Sequence, residues 1–124
     1  MKDGTATIDT DGWLTLPKGF LDPRKVVVAC PPEALAKGRF WVLDRPMAEA
    51  VAHRIARMKR SGMMPVAQTL VRTYQTGAIL CVYDAEGARL ALPHRVTQAL
   101  GPLPCAVRLN TENGPLLVER EAGA

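Results

Sequence analysis

The chain is short of the side chains that carry out chemistry: it has three cysteines and two histidines in 124 residues. Cys30, Cys81 and Cys105 are odd in number, no two stand at metal-ligand spacing, and each lies in an apolar neighbourhood. A zinc site would need two further ligands from His53, His94 or acids, and no local spacing supplies them. The expectation is buried, reduced thiols acting as small hydrophobes, with no metal and no cofactor. No acid–base pair, nucleophile constellation or phosphate loop is present, so an enzyme is not expected. No run of residues approaches the roughly 20 apolar positions of a membrane helix. Nothing at the start resembles a signal peptide, since Lys2 and Asp3 lead into no apolar stretch. The expected location is the cytosol, with no membrane partner.

What is present is ordinary in amount and unusual in order. An apolar content of 48% suits a globular protein, and the length suits one domain, or two small halves sharing a core. One stretch occurs twice. Asp9-Thr10-Asp11-Gly12-Trp13-Leu14-Thr15-Leu16-Pro17 returns as Asp84-Ala85-Glu86-Gly87-Ala88-Arg89-Leu90-Ala91-Leu92-Pro93. The aspartates are 84 − 9 = 75 apart and the prolines 93 − 17 = 76, so the second copy has one extra residue. An Asp heading a turn can accept bonds from backbone N–H groups two residues on. Gly supplies the positive φ of a tight turn. Alternating Leu residues then read as a half-buried strand, and Pro ends it. Two such modules in order, with matching sequels, point to an internal duplication.

In chain order, residues 4–8 read as a strand feeding the first turn, and Lys18 to Leu21 as a single helical turn closed by Asp22-Pro23. Val26 to Cys30 reads as a buried strand broken by Pro31 and Pro32. Phe40 to Leu43 is a further strand, reached through a loop around Lys37-Gly38. Met47, Val51, Ile55 and Met58 then form one stripe of an amphipathic helix running from Pro46 to about Arg60. Pro65 opens a second helix with Val66, Leu70 and Tyr74 on one stripe, and the two make a helical hairpin. Ala78 to Tyr83 is a strand, Leu90 to Leu92 another, and His94 to Leu100 a short helix. Cys105 to Leu109 and Leu116 to Val118 flank Asn113-Gly114, a strong hairpin signal.

This order, spacing and duplication resemble the MraZ family, bacterial regulators built from two AbrB/SpoVT-type swapped-hairpin halves. The likeness runs from about Gly4 to Val118 and includes Met64-Pro65 at the start of the second helix. It implies an α+β, mainly β fold: two pseudo-symmetric halves, residues 4–46 and 77–120, forming a small β-barrel, with a helical hairpin over 47–76 between them. It also implies a ring-shaped homo-oligomer that binds double-stranded DNA at repeated promoter sites without a cofactor. The family motif is Asp-x-x-Gly-Arg, whose Arg contacts DNA; counted from each Asp, that place holds Trp13 in the first copy and Ala88 in the second. The implied DNA-binding set is Asp9, Trp13, Lys18, Arg24, Lys25, Asp84, Ala88, Arg89 and Arg95. Arg89 directly follows the motif position, and a one-residue slip would be needed to bring it there, because neighbours on a strand face opposite ways.

Charge is unevenly spread. Residues 1–38 balance at zero, 39–75 carry +5, and 76–124 carry −1. The excess belongs to the helical hairpin, where Arg54, Arg57, Lys59 and Arg60 form a basic patch. This reads either as a solvated helix face, favoured near a C-terminus by the helix dipole, or as an electrostatic patch for nucleic acid or an acidic neighbouring subunit. Two functions follow: a DNA-binding regulator of the MraZ type, or a divergent ring-forming relative with lost or altered DNA recognition that works through protein partners, Trp13 then anchoring an interface.

Overall fold

Residues stiff at χ1 begin the chain's first element: Thr5, Thr7 and Ile8 favour an extended backbone, and β1 spans Asp3–Ile8. The computed structural model describes residues 3–22, 25–111 and 114–121. Asp9 turns the chain as its residue type leads one to expect, its Oδ1 accepting from the N–H groups of Asp11 (2.9 Å) and Trp13 (3.0 Å). Gly12 holds φ at +84°, and β2 follows over Trp13–Thr15. Next come β3 (Val26–Ala29), the short helix α1 (Pro32–Leu35) and β4 (Arg39–Asp44). Sequence reading saw only a strand break at Pro31-Pro32; Pro32 instead opens α1, a position where its missing N–H costs nothing.

The helical hairpin is α2 (Arg45–Arg60) and α3 (Met64–Tyr74). Buried Asp44 starts it: Oδ1 accepts from the Met47 N–H (3.1 Å) as a helix cap, while Oδ2 accepts from the Asp22 N–H (2.8 Å). The expected stripe on α2 is the buried one. On α3 Leu70 and Tyr74 of the expected stripe do pack against the sheet and α2, joined by Val71, but Ala67 takes the place expected of Val66. Ala67 is the fully buried position, whereas Val66 is 39% exposed, because a small side chain lets two helices approach closely. Trp41 meets Tyr74 edge to face at 5.5 Å, fixing α3 over β4.

The second half supplies β5 (Ile79–Cys81), β6 (Tyr83–Asp84), β7 (Arg89–Ala91), α4 (His94–Leu100), β8 (Cys105–Asn110) and β9 (Leu116–Arg120). The single strand expected over 78–83 is interrupted at Val82. The helical turn expected at Lys18–Leu21 is a plain turn, in which the Phe20 N–H donates to the Pro17 carbonyl (3.2 Å). Gly19 there takes φ +79° and stops a helix, while the matching stretch after Pro93 has no Gly and forms α4. Both segments still drive an apolar residue into the core, Phe20 in one and Val96 in the other. Asn113 of the last hairpin lies outside the described residues.

The strands form one antiparallel sheet in the order β5-β3-β4-β9-β8-β1-β2-β7-β6. Since β5 and β6 are parts of one stretch, the sheet curls into a nearly closed barrel. Its register has twofold character. Ile8↔Leu14 in the first half corresponds to Tyr83↔Leu90 in the second, and Val26↔Asp44 to Val107↔Arg120. β1 pairs with β8, and β3 with β5, so each half contributes a strand to the other. The β2–β7 pair is centred on Leu14↔Leu90 and the β4–β9 pair on Trp41↔Leu117, each symmetric about its own middle. Ile8, Leu14, Phe40, Leu90, Val107 and Leu116 fill the interior. A second core, Ala29, Leu43, Val51, Ile55 and Ala67, lies between the outer side of β3–β4 and the helical hairpin. Among the described residues no helix is long and apolar enough to cross a membrane.

Gly12 cannot be replaced cheaply. A Cβ there would sit 3.0 Å from Thr97 Cγ2 and in a left-handed backbone, so Gly12→Ala is expected to lower unfolding free energy by about 1–2 kcal/mol, as measured by urea titration.

Candidate nucleic-acid interface

The two repeated turns meet at the β2–β7 ribbon. Leu14 and Leu90 point inward, so by strand parity Trp13, Thr15, Arg89 and Ala91 share the outward face. The register is Trp13↔Ala91, Leu14↔Leu90 and Thr15↔Arg89. Matched hydrogen bonds extend the ribbon at both ends: the Leu16 N–H donates to the Ala88 carbonyl (2.8 Å), and the Leu92 N–H to the Gly12 carbonyl (3.1 Å).

That pairing corrects the motif alignment. Ala88 stands where Gly12 stands, with φ +51° and 3% exposure, so it is part of the turn and offers no surface for contact. The extra residue of the second copy is absorbed inside the turn. Arg89, not Ala88, is therefore the counterpart of Trp13. Counting back from the prolines finds this at once, since 93 − 89 and 17 − 13 are both 4; counting forward from the aspartates misses it.

Arg89 is held from two sides. Its NH2 lies 3.3 Å from Asp84 Oδ2, and its guanidinium carbon 4.9 Å from the centre of the Trp13 ring. The arrangement folds over Gly87, where a Cβ would lie 3.0 Å from Arg89 Nε. Asp84 also accepts from the Glu86 and Gly87 N–H groups (3.1 and 3.4 Å). The Gly87 N–H first, and then Arg89, hold its carboxyl below the ordinary carboxylate range. Asp9 and Asp84 are thus turn-forming residues that position Trp13 and Arg89.

The remaining expected contacts are dispersed. Lys18 and Arg95 are exposed just beyond Pro17 and Pro93, and Arg95 NH1 reaches within 4.0 Å of the place a Gly77 Cβ would take. Lys25 lines a shallow depression with Arg45, Glu49 and Ala52 at the start of α2. Arg24 lies outside the described residues. Arg54, Arg57, Lys59 and Arg60 are exposed on α2, which packs over β3–β4 and not over the ribbon.

Sequence reading missed two residues beside the ribbon. Leu80 and Val82 are 66% and 68% exposed; the Val82 carbonyl accepts from the Ala91 N–H (3.0 Å). Through the repeat they occupy the places of Thr5 and Thr7. The outward face therefore has an apolar side (Leu80, Val82, Ala91, Trp13) and a polar side (Thr5, Thr7, Thr15, Arg89). The signal was present as an unbroken apolar run over residues 78–83, where a strand with one solvated face would alternate.

Among the described residues no group of three or more His, Cys, Asp or Glu could hold a metal ion. Cys30 and Cys105 are buried and Cys81 half-buried, all as free thiols. Burial first, and neighbouring Cys30 second, push Cys81 up to about 11.

Two outcomes follow. Because an exposed ion pair contributes about 0–1 kcal/mol and an exposed cation–π contact about 0.5–1 kcal/mol, Arg89→Ala is expected to leave the fold intact and cost about 1 kcal/mol in chemical denaturation. Cys81 ionises at higher pH when folded than when unfolded, so its contribution to stability is present below the ordinary thiol value of 9.0 and lost as pH rises toward about 11. Thermal melts should fall over that interval, and by less in Cys81→Ser.

No protein-family model matches the chain, and no curated protein matches it.

Proposed function

We propose that the protein is a DNA-binding transcriptional regulator of the MraZ type, with two AbrB/SpoVT-like swapped-hairpin halves, acting as a ring-shaped homo-oligomer on repeated promoter sites. One observation carries the reading: the twofold register of the β2–β7 ribbon, which sets the duplicated turns side by side with Trp13 and Arg89 outward. A two-stranded ribbon is an element that the major groove of B-DNA admits. Arg89 would supply a bidentate contact to guanine once it leaves Asp84, an exposed pair that costs little to open. Trp13 would pack its indole against sugar. Lys18 and Arg95 would meet flanking phosphates. With one Arg per chain in place of two, each subunit binds weakly, and repetition around a ring restores affinity through simultaneous engagement.

A protein-scaffold reading is favoured by the apolar side of the same face, where Leu80, Val82 and Trp13 stand against threonines and Arg89 on the other side. The two readings separate in one experiment. Gel shift and native mass measurement with a repeat-containing promoter fragment should give a salt-sensitive complex of an oligomer. Arg89→Ala should weaken it by roughly 5- to 150-fold, the equivalent of removing a guanine interaction of about 1–3 kcal/mol. Absence of any wild-type complex at low salt removes the regulator reading and leaves the scaffold, for which Trp13→Ala should alter the oligomer or its partners.

A further inference from the structure

We infer that the outward flank of α2 is a second DNA contact, one that grips the phosphate backbone without reading sequence. The inference rests on the DNA-binding reading for the identity of the polyanion; the surface itself is argued from charge and pairing. From residue 50 through residue 83 the chain contains no Asp or Glu, while Arg54, Arg57, Lys59, Arg60 and Arg72 fall in that span. Elsewhere arginines find carboxylates: Arg39 and Arg108 share Glu119 (2.6 and 2.9 Å), Arg45 meets Glu49 (3.0 Å), and Arg89 meets Asp84 (3.3 Å). Among the described residues, Arg54, Arg57, Lys59 and Arg60 form no ion pair, and all four are exposed. The helix dipole accounts for cations in the last turn, but not for Arg54, nor for the missing acids.

The spacing suits a phosphate row. Arg57 and Arg60 lie opposite the buried stripe, with Arg54 on its flank one turn earlier; the three recur every three residues and span about 9 Å of helix at 1.5 Å per residue. Each strand of duplex DNA presents one charge per ~3.4 Å of axis, so this row would face about three phosphates of one strand. The ribbon needs such help, because its turns carry Asp9, Asp11, Asp84 and Glu86 against one Arg89. An anionic membrane surface fits less well. A helix lying on lipid needs a free apolar face, and the stripe of Met47, Val51, Ile55 and Met58 is turned against the sheet and α3.

The test uses the intact protein and two labelled duplexes of equal length, one carrying the promoter repeats and one of arbitrary sequence, titrated by anisotropy from about 50 to about 200 mM salt. Arg57→Ala/Lys59→Ala/Arg60→Ala should weaken both complexes at least tenfold by the same factor. The slope of log K against log salt should fall by about 1 for each phosphate no longer neutralised. Its circular-dichroism melt should match wild type, and Arg57→Lys/Arg60→Lys, with its charge kept, should retain the slope. Arg89→Ala should instead lose the preference for the promoter and keep the slope on arbitrary sequence. An unchanged slope in the triple variant, or weakening confined to the promoter duplex, overturns this inference and leaves the ribbon reading standing. Failure of the wild type to bind either duplex overturns both, and capture of phosphatidylserine vesicles in that case reassigns the flank to a membrane surface.

Discussion

Leu14 facing Leu90 across the β2–β7 pair is the contact on which the remaining geometry depends. Both are fully buried, both sit at the centre of a symmetric register, and each comes from a different half of the chain. A slip of one residue would turn both out to solvent and bring Trp13 and Arg89 inward, burying a charge that has only an exposed partner. The apolar interior therefore selects the outward set as strictly as it selects the inward one. The β4–β9 pair joins the two halves a second time with the parity reversed: Trp41↔Leu117 at its centre faces outward, and Phe40, Val42, Leu116 and Val118 face the core. Because β1 needs β8 and β3 needs β5, neither half completes its own sheet, and folding of one is coupled to folding of the other.

On this shared frame the halves have diverged where the core does not constrain them. The turn after Pro17 and the helix after Pro93 differ in backbone, yet Phe20 and Val96 both fill the core. Outward positions differ more: three threonines and an arginine on one side answer Leu80, Val82, Ala91 and Trp13 on the other. Twofold symmetry of the backbone thus coexists with an asymmetric face. Arg89 and Trp13, equivalent through the repeat, end in contact with one another, so a duplicated position has become a mixed pair. Positive charge is concentrated away from this face, on α2, which is why the DNA reading and the distribution of cations are reconciled by two surfaces better than by one.

Much of the fold is legible from residues alone, for identifiable reasons. The limits of α2 and α4 follow from Pro46, Pro93 and the spacing of apolar residues, and those signals are local. The strands show because alternation is local too. Short-range ambiguity explains the misses: Pro31-Pro32 ends a strand and opens a helix with the same chemistry, and Gly19 stops a helix that Pro17 would otherwise begin. Of the stripe expected on α3, Leu70 and Tyr74 make the contact and only Val66 yields its place to Ala67, because the closeness of two helices depends on the partner's shape, which periodicity does not contain.

By itself, the sequence determined that a turn–strand module occurs twice around two helices, that the excess charge lies on those helices, and that zinc-ligand spacing is absent. Tertiary structure decided between the two alignments that the sequence offers, one counted from the aspartates and one from the prolines, and so which residue of the second module corresponds to Trp13. The alternatives differ by one position inside a turn, and local preference cannot rank them, since an Ala at positive φ is unfavourable when judged alone. The buried pairing of Leu90 with Leu14 outweighs that cost, of order 1–2 kcal/mol, because exposing two core leucines would forfeit about 1.5–3 kcal/mol each.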